Sequence, residues 1–270
     1  MPLTQIIASS PSSTITLVLE DPSDGYSVQD VKGLGPVRAT LVSSAYAQRN
    51  GSYPQASRRE ERFITIRLGF EEGWNGLSVE ELRMNLYNHF MPQTELRLAL
   101  TTSTIPEVWI NGIVESCEPD IFSDDPAVDI AITCNDPDFF NPLAEIVTGV
   151  STATTDETDL LYSGTLETGF RFVLSADREV DNFSLYLRGP NGVLRQMDFV
   201  GLLHTGDTLT ISTIPGLKGV YLNGTVSNLT YLTPQSPWLE LRPGLNKIRV
   251  YSDGAPLAYA LEYTNKYGGL

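Results

Sequence analysis

The sequence predicts a mostly β protein of two modules, the first carrying one α-helix and the second a β-sandwich. Three observations carry that prediction. Most apolar runs alternate with polar residues, the period of two that a half-buried strand demands. One segment, LSVEELRMNLYNHF, changes to the helical period. Gly, Pro, Asn and Asp clusters then punctuate the second half at short intervals with no helical pattern between them, the mark of a sandwich. At 270 residues the chain is long enough for two cores.

In chain order, TITLVL (14–19) is rich in β-branched and aliphatic residues and reads as a first strand, leaving through the turn cluster DPSDG. A strand follows around Val37 to Ser43, then a polar loop rich in Gly and Arg, then an alternating strand from Arg62 to Phe70. Its core face is Ile64, Ile66, Leu68 and Phe70, and Phe63, Thr65, Arg67 and Gly69 face the other way. In the helix, Ser78 caps the N-terminus with Glu81 three residues on. Val79, Leu82, Leu86 and Phe90 form the apolar stripe, and Pro92 ends it. Strands resume in ELRLALTT and EVWINGIVESCE, the second containing Asn111-Gly112, a dipeptide that favours a tight turn or a bulge. AVDIAITC (127–134) alternates again and pairs with the preceding strand across FSDDP. It runs into NDPDFFNPL, where acids and prolines stop it.

Beyond Leu143, TGVSTATTDETD is small, polar and acidic with no apolar face, which marks a crossing between domains, expected as residues 1–146 and 147–270. Short β segments then follow in SGTLETGFRFVLS, DNFSLYLRGPNG, VLRQMDFVG, GDTLTISTIPG, KGVYLNG, PWLELRPG, LNKIRVYSDG and LAYALEYTN.

A net charge of −15, from 33 acids and 18 bases, sets the average surface against nucleic acid and anionic membranes. No apolar run approaches the ~18 residues of a membrane span. The start, MPLTQIIASS, lacks the basic and apolar regions of a signal peptide, so the chain is expected to be used without export. Cys117 and Cys134 are too few for a disulfide scaffold or a zinc cage and read as buried reduced thiols. Without export, the sequons at Asn182, Asn223 and Asn228 carry no weight as glycan sites.

Asp120, Asp124, Asp125, Asp129, Asp136 and Asp138 could supply oxygens to calcium, but their spacing matches no EF-hand, and turn and cap chemistry explains them more plainly. His89, near the helix end, and His204, in a loop, lack the partners of a nucleophilic or metal site. A carboxylate pair for glycoside hydrolysis stays open, since two such acids need not be close in sequence. Tyr221, Tyr231, Trp238 and Tyr251 could contact sugar or plug the sandwich core. Arg49, Arg58, Arg59, Arg62 and Arg67 stand out in an acidic chain. They fit either a solvated loop or a subunit interface opposite an acidic loop of the next copy, between Glu118 and Asp129. The candidate interface residues are Arg49, Arg58, Arg59, Arg62, Asp124 and Asp125; the candidate sugar contacts are Tyr221, Tyr231 and Trp238. No catalytic residue, metal or cofactor is assigned.

The order of elements resembles a known family. An early Gly-rich strand pair, the Arg-rich loop into RREERFITIRLGF, a helix after Trp-Asn-Gly, then ELRLALTT, WINGIVESCEP and AVDIAITCNDPDFFNP look like the N-terminal domain of siphophage distal tail proteins, over Gly33 to Pro142. The family's closing strand ends in C-x-D-P-x-F, here Cys134 to Phe139. The second half is similar to the galectin-like sandwich of these proteins, most tellingly in the L-x-P-G-x-N turn at Leu241 to Asn246. The resemblance implies a β-barrel-like, ring-forming first domain and a galectin-like second one. It implies a non-enzymatic virion protein of the tail tip, assembled in the bacterial cytoplasm as a ring, a hexamer in family members. Such a ring joins the tail tube to the hub or baseplate and leaves a channel for DNA. The implied partners are sibling copies, the tail-tube protein and the tail hub or a tail-associated protein, with host carbohydrate as the alternative target of the sandwich. There is no obvious sugar-contact signature in that half. Asp136 to Pro142 would then be the exit from the ring domain, its prolines ending the sheet and its Phe pair tucked against the core.

Overall fold

A computed structural model describes residues 3–22, 24–105, 107–120, 123, 125–227 and 231–270. It divides into two compact units, Met1–Pro142 with Tyr267–Leu270, and Leu143–Lys266. The chain thus crosses once at Pro142 and returns its last residues to the first unit.

The first unit contains β1 (Leu3–Ser9), β2 (Thr14–Val18), β3 (Tyr26–Lys32), β4 (Ala39–Ala45), β5 (Ser52–Arg59), β6 (Arg62–Phe70), α1 (Val79–Phe90), β7 (Glu95–Thr102), β8 (Val108–Asp120), β9 (Ala127–Cys134) and the short β10 (Phe139–Phe140). Seven strands follow one antiparallel path, β2-β1-β7-β8-β9-β6-β3, whose two end strands come into contact, so the sheet curls on itself. Alternation decides its faces. Ile64, Ile66 and Leu68 of β6, Leu96, Leu98 and Leu100 of β7, and Ile130 and Ile132 of β9 are buried, with Leu82, Leu86 and Phe90 of α1 packed over them. The helix starts as its sequence demands: Ser78 Oγ accepts from the Glu81 amide at 3.3 Å and the Glu81 carboxylate accepts from the Ser78 amide at 2.8 Å.

Four local readings change. β1 precedes the strand read as the first, and β3 follows it; neither has the strict alternation that betrays a strand. The polar loop is the second arm of a hairpin, because β5 pairs with β4 from Ala39↔Arg59 to Ala45↔Ser52. Asn111-Gly112 makes neither turn nor bulge. β8 runs straight through, and the glycine is required because a Cβ there would meet Ile132 Cγ2 at 2.5 Å. The bulge lies farther on, between Val114 and Ser116.

The second unit contains β11 (Glu145–Val150), β12 (Thr158–Tyr162), β13 (Phe170–Ser175), β14 (Val180–Arg188), β15 (Leu194–Leu203), β16 (Thr208–Ser212), β17 (Gly219–Leu222), β18 (Thr225–Ser227), β19 (Gly244–Ser252) and β20 (Ala258–Tyr263). They form a six-stranded sheet, β11-β20-β13-β16-β17-β18, and a four-stranded sheet, β12-β19-β14-β15, whose inner faces share one core of Phe170, Phe172, Phe183, Phe199, Ile211, Val250 and Leu261, among others. The acidic stretch after Leu143 is therefore not wholly linker, since its first residues pair as β11 with β20. PWLELRPG forms no strand; it buries Leu239 and Leu241 in passing. The turn after it has a clear physical basis. Asn246, fully buried, donates to Arg242 O at 2.7 Å and Gly244 O at 2.9 Å and accepts from the Arg242 amide at 3.1 Å, while Gly244 takes the left-handed φ of 102°.

Candidate functional site

The Arg-rich segment divides into two structures with opposite physics. Its foot is a knot around Arg62. This arginine falls on the even-numbered, inward face of β6, only 1% exposed, and its guanidinium lies 4.4 Å from the centre of the buried Phe139 ring. Its donors meet backbone carbonyls throughout: Pro137 O at 2.7 Å, Gly33 O and Gly35 O each at 2.6 Å, and Gly268 O at 2.8 Å. One side chain therefore ties the approach to the hairpin, the exit after β9 and the returning C-terminus. Burial pulls its pKa down from the ordinary arginine value, opposed by Cys134 and Asp138. The expectation that Arg62 contacts a sibling copy is thus corrected: its guanidinium is consumed inside its own unit.

Arg59 completes the foot. It makes a two-pronged pair with the buried Asp138 carboxylate, one contact at 2.9 Å, and that hydrogen bonding raises the Arg59 pKa. Asp136 shapes the loop, its carboxylate accepting from the Asp138 amide at 3.2 Å. NDPDFF therefore stops β9 for architectural reasons: an aspartate turn, an ion pair and a phenylalanine under a guanidinium. Among the described residues, no group of three or more His, Cys, Asp or Glu side chains is arranged to hold a metal.

Above this foot, β4 and β5 hydrogen-bond to one another as a separate two-stranded sheet. Every residue of the two strands except Ser44 is exposed, including Leu41 at 70%, Val42 and Tyr53. A lone hairpin is marginal in water, and this one spends its aromatics on itself: Tyr46 and Tyr53 lie 5.7 Å apart with the Arg49 guanidinium 4.6 Å over Tyr46. Arg58 is exposed on β5. From Arg38 to Arg59 there are four arginines and no acid. Arg67 is separate, paired across strands with Asp129 at 2.9 Å. Asp125 is exposed, with its amide donating to Ser123 Oγ at 3.2 Å; Asp124 lies outside the described residues.

Two shallow grooves of about 410 and 420 Å³ adjoin the hairpin foot and share Asn135. One row of the sheet's outer face runs through both, Phe63–Thr133–Ile113–Glu95 across β6, β9, β8 and β7, with Phe63 56% and Ile113 37% exposed; Phe63 lines one groove and the other three residues the second.

The candidate sugar contacts are all partly buried. Tyr231 stacks on the core Phe199 with ring centres 5.5 Å apart, and Trp238 packs on the same core with Lys218 Nζ 5.8 Å from its ring. Tyr221 is half-buried on β17. His204 is exposed beside Glu179, and burial pulls the His89 pKa down. Both thiols are free, with burial pushing each up to about 11, far from a reactive thiolate.

Sequence reasoning missed Asp138 as a partner, the depth of Arg62 and the exposure of Leu41 and Val42. Parity along β6 already put Arg62 with the core positions, and that signal was available.

Residues 163–267 match the family model of the siphovirus-type tail component, C-terminal domain. Over 97% of this chain and 98% of the other, the fold is similar to the crystal structure of the phage SPP1 Dit (gp 19.1) protein, described as a paradigm of the hub adsorption apparatus in phages infecting Gram-positive bacteria, at 15% identity and a TM-score of 0.67. Weaker likenesses reach the phage P2 baseplate in its activated conformation with Ca, at 10% identity over 100% of both chains and a TM-score of 0.46. A chain of the phage p2 baseplate activated with Sr has 9% identity over 98% of this chain and 99% of that one, with a TM-score of 0.43. No curated protein matches.

Proposed function

We infer, from a tail-component domain in the second unit and a Dit-type fold along the whole chain, that this protein is a siphophage distal tail protein, a structural and non-enzymatic component of the virion tail tip. Its work is assembly. Copies associate into a ring, six in number by the family resemblance, between the tail tube and the hub or baseplate, with tail-tube protein and hub as neighbours and a channel left for DNA.

The observation that carries the ring reading is the β4–β5 hairpin. It is anchored at its foot by Arg59–Asp138 and Arg62, yet it carries apolar and cationic side chains that its own unit leaves uncovered. Such an element gains stability only when another surface closes over it. A contact between unlike patches, repeated by rotation, closes into a ring. A net charge of −15 per copy, if that excess lines the channel, would keep the wall from holding DNA; facing outward it serves solubility alone. Arg49 and Arg58 remain the interface arginines of this proposal. Arg59 serves from the foot, and Asp125 stays a candidate on its loop. The carbohydrate reading has less support, because Tyr231 and Trp238 lean on the sandwich core.

Negative-stain imaging of the purified full chain tests the proposal. Hollow rosettes with radial lobes are expected; a field of single particles at every concentration and salt, with or without neighbouring tail proteins, would remove it.

A further inference from the structure

We propose that a polar groove of the first unit, enclosed by the turn before β3, the one-turn 3-10 helix Trp74–Gly76 and one face of α1, is a binding site for a neutral saccharide. The site belongs to the first unit and shares no residue with the sandwich aromatics or with the hairpin.

The groove holds about 320 Å³, near the low end of the ~300–1,000 Å³ of small-molecule sites. Asp24, Asn75, Asn85, Asn88 and His89 line it beside Trp74. The tryptophan is unengaged. Trp109 stacks on Phe140 under the Arg97 guanidinium, and Trp238 packs on the sandwich core beside Lys218, whereas Trp74, 36% exposed, makes no ring or cation contact among the described residues. Gly25 permits its placement: the backbone there has a φ of 87°, and a Cβ would meet the indole Cγ at 3.1 Å and Leu82 Cδ2 at 2.6 Å.

The polar side chains are also unspent. Asn85, Asn88 and His89 share one face of α1 by their spacing. None of the three, nor Asn75 or Asp24, has a side-chain hydrogen bond among the described residues; Ser13 Oγ takes only the main-chain carbonyl of Asn88, at 3.1 Å. His89 Nδ1 is sealed from water without a partner, which leaves Nε2 as the accessible ring nitrogen. Burial pulls the imidazole pKa down and so keeps the ring neutral at pH 7. Tyr26 forms part of the wall with its hydroxyl already donated to Leu82 O at 2.7 Å.

Charge selects the ligand. No lysine or arginine lines the groove, so an anion such as phosphate finds no counter-charge, and the lone Asp24 carboxylate is too little for a metal ion. Side-chain amides offer donors and acceptors together, a carboxylate accepts from hydroxyls, and an indole face packs on the C–H face of a sugar ring. The lining is mostly polar, which fits a ring of neutral hydroxyls better than the apolar anchors of a peptide segment.

Saturation-transfer NMR on the full chain tests the site, with maltotriose, cellotriose, lactose and the trisaccharide of N-acetylglucosamine as neutral probes and glucose 6-phosphate as the anionic comparison. Transfer to at least one neutral probe and none to glucose 6-phosphate is expected. Asn85→Ala with Asn88→Ala, at exposed helix positions where alanine favours the helix, should weaken binding about tenfold with an unchanged circular-dichroism spectrum, and Trp74→Ala should abolish it. Retention on chitin or amylose beads, with the same losses, would extend the site to polysaccharide chains; binding of free probes alone would confine it to soluble saccharides, and either supports it. Binding that survives both variants puts the sugar elsewhere and overturns the proposal, as does silence from all four neutral probes or a preference for glucose 6-phosphate. Protection of Trp74 from oxidation on self-association, with no saccharide bound, would mean that a protein segment fills the groove and would overturn it too.

Discussion

Arg62 and Arg49 are the same residue type thirteen positions apart, and they meet opposite fates. At the foot, a guanidinium is sealed from water and matched by carbonyls on every side, so its energy goes into holding one unit together. On the hairpin, a guanidinium lies over an exposed tyrosine in a sheet of two strands. The difference teaches how one arginine-rich segment holds both a sealed anchor and an exposed arm; in the proposed ring, the foot anchors the hairpin and the hairpin carries the contact.

The largest expected effect breaks the foot. Arg62→Leu should destabilise the first unit by about 3–5 kcal/mol, because buried carbonyls lose their donor, while Arg62→Lys recovers only part. Denaturant unfolding followed by the near-ultraviolet signal measures it. Asp138→Asn comes next, at about 1.5–3 kcal/mol, since Arg59 keeps a hydrogen bond but loses its charge partner. In the second unit, Asn246→Ala gives a control of comparable size, about 1–3 kcal/mol, through the turn it spans and without effect on the foot. Arg49→Ala and Arg58→Ala sharpen the comparison from the other side. Stability should stay within about 0.5 kcal/mol of the parent while association weakens and becomes less sensitive to salt, read by sedimentation.

The smallest effect is a titration. Burial raises the Cys134 thiol from its ordinary 9.0 to about 11, with Arg62 opposing. A folded value above the unfolded one means stability present in full below pH 9 and lost as pH rises towards 11. Alkylation of the folded chain at pH 8 should accordingly be slow and become fast on unfolding.

Much of the fold was legible because burial writes itself into alternation. Arg62–Phe70 and Ala127–Cys134 match their strands to the residue, and the capping box fixed the start of α1. What was not legible had no periodic face to read. β5 is exposed throughout, so SYPQASRR shows no inward and outward alternation. β1 has only Ile6 and Ala8 fully inward, and the return of Tyr267–Leu270 to the first unit depends on Leu34 O and Arg62, far away in sequence. The candidate site was legible as composition, an island of arginine in an acidic chain. Its division into foot and hairpin was not, because that depends on whether Asp138 and the carbonyls of Gly33, Gly35 and Pro137 lie within reach in space.

The most direct measurement is the solution mass of two proteins side by side: the full chain, and a chain in which residues 41–57 are replaced by a two-residue Asn-Gly turn that leaves Arg59, Arg62 and Asp138 in place. The account predicts a discrete closed oligomer for the first and a monomer with an unchanged circular-dichroism spectrum and melting temperature for the second. Equal masses for the two, whether both monomeric or both assembled, would contradict it.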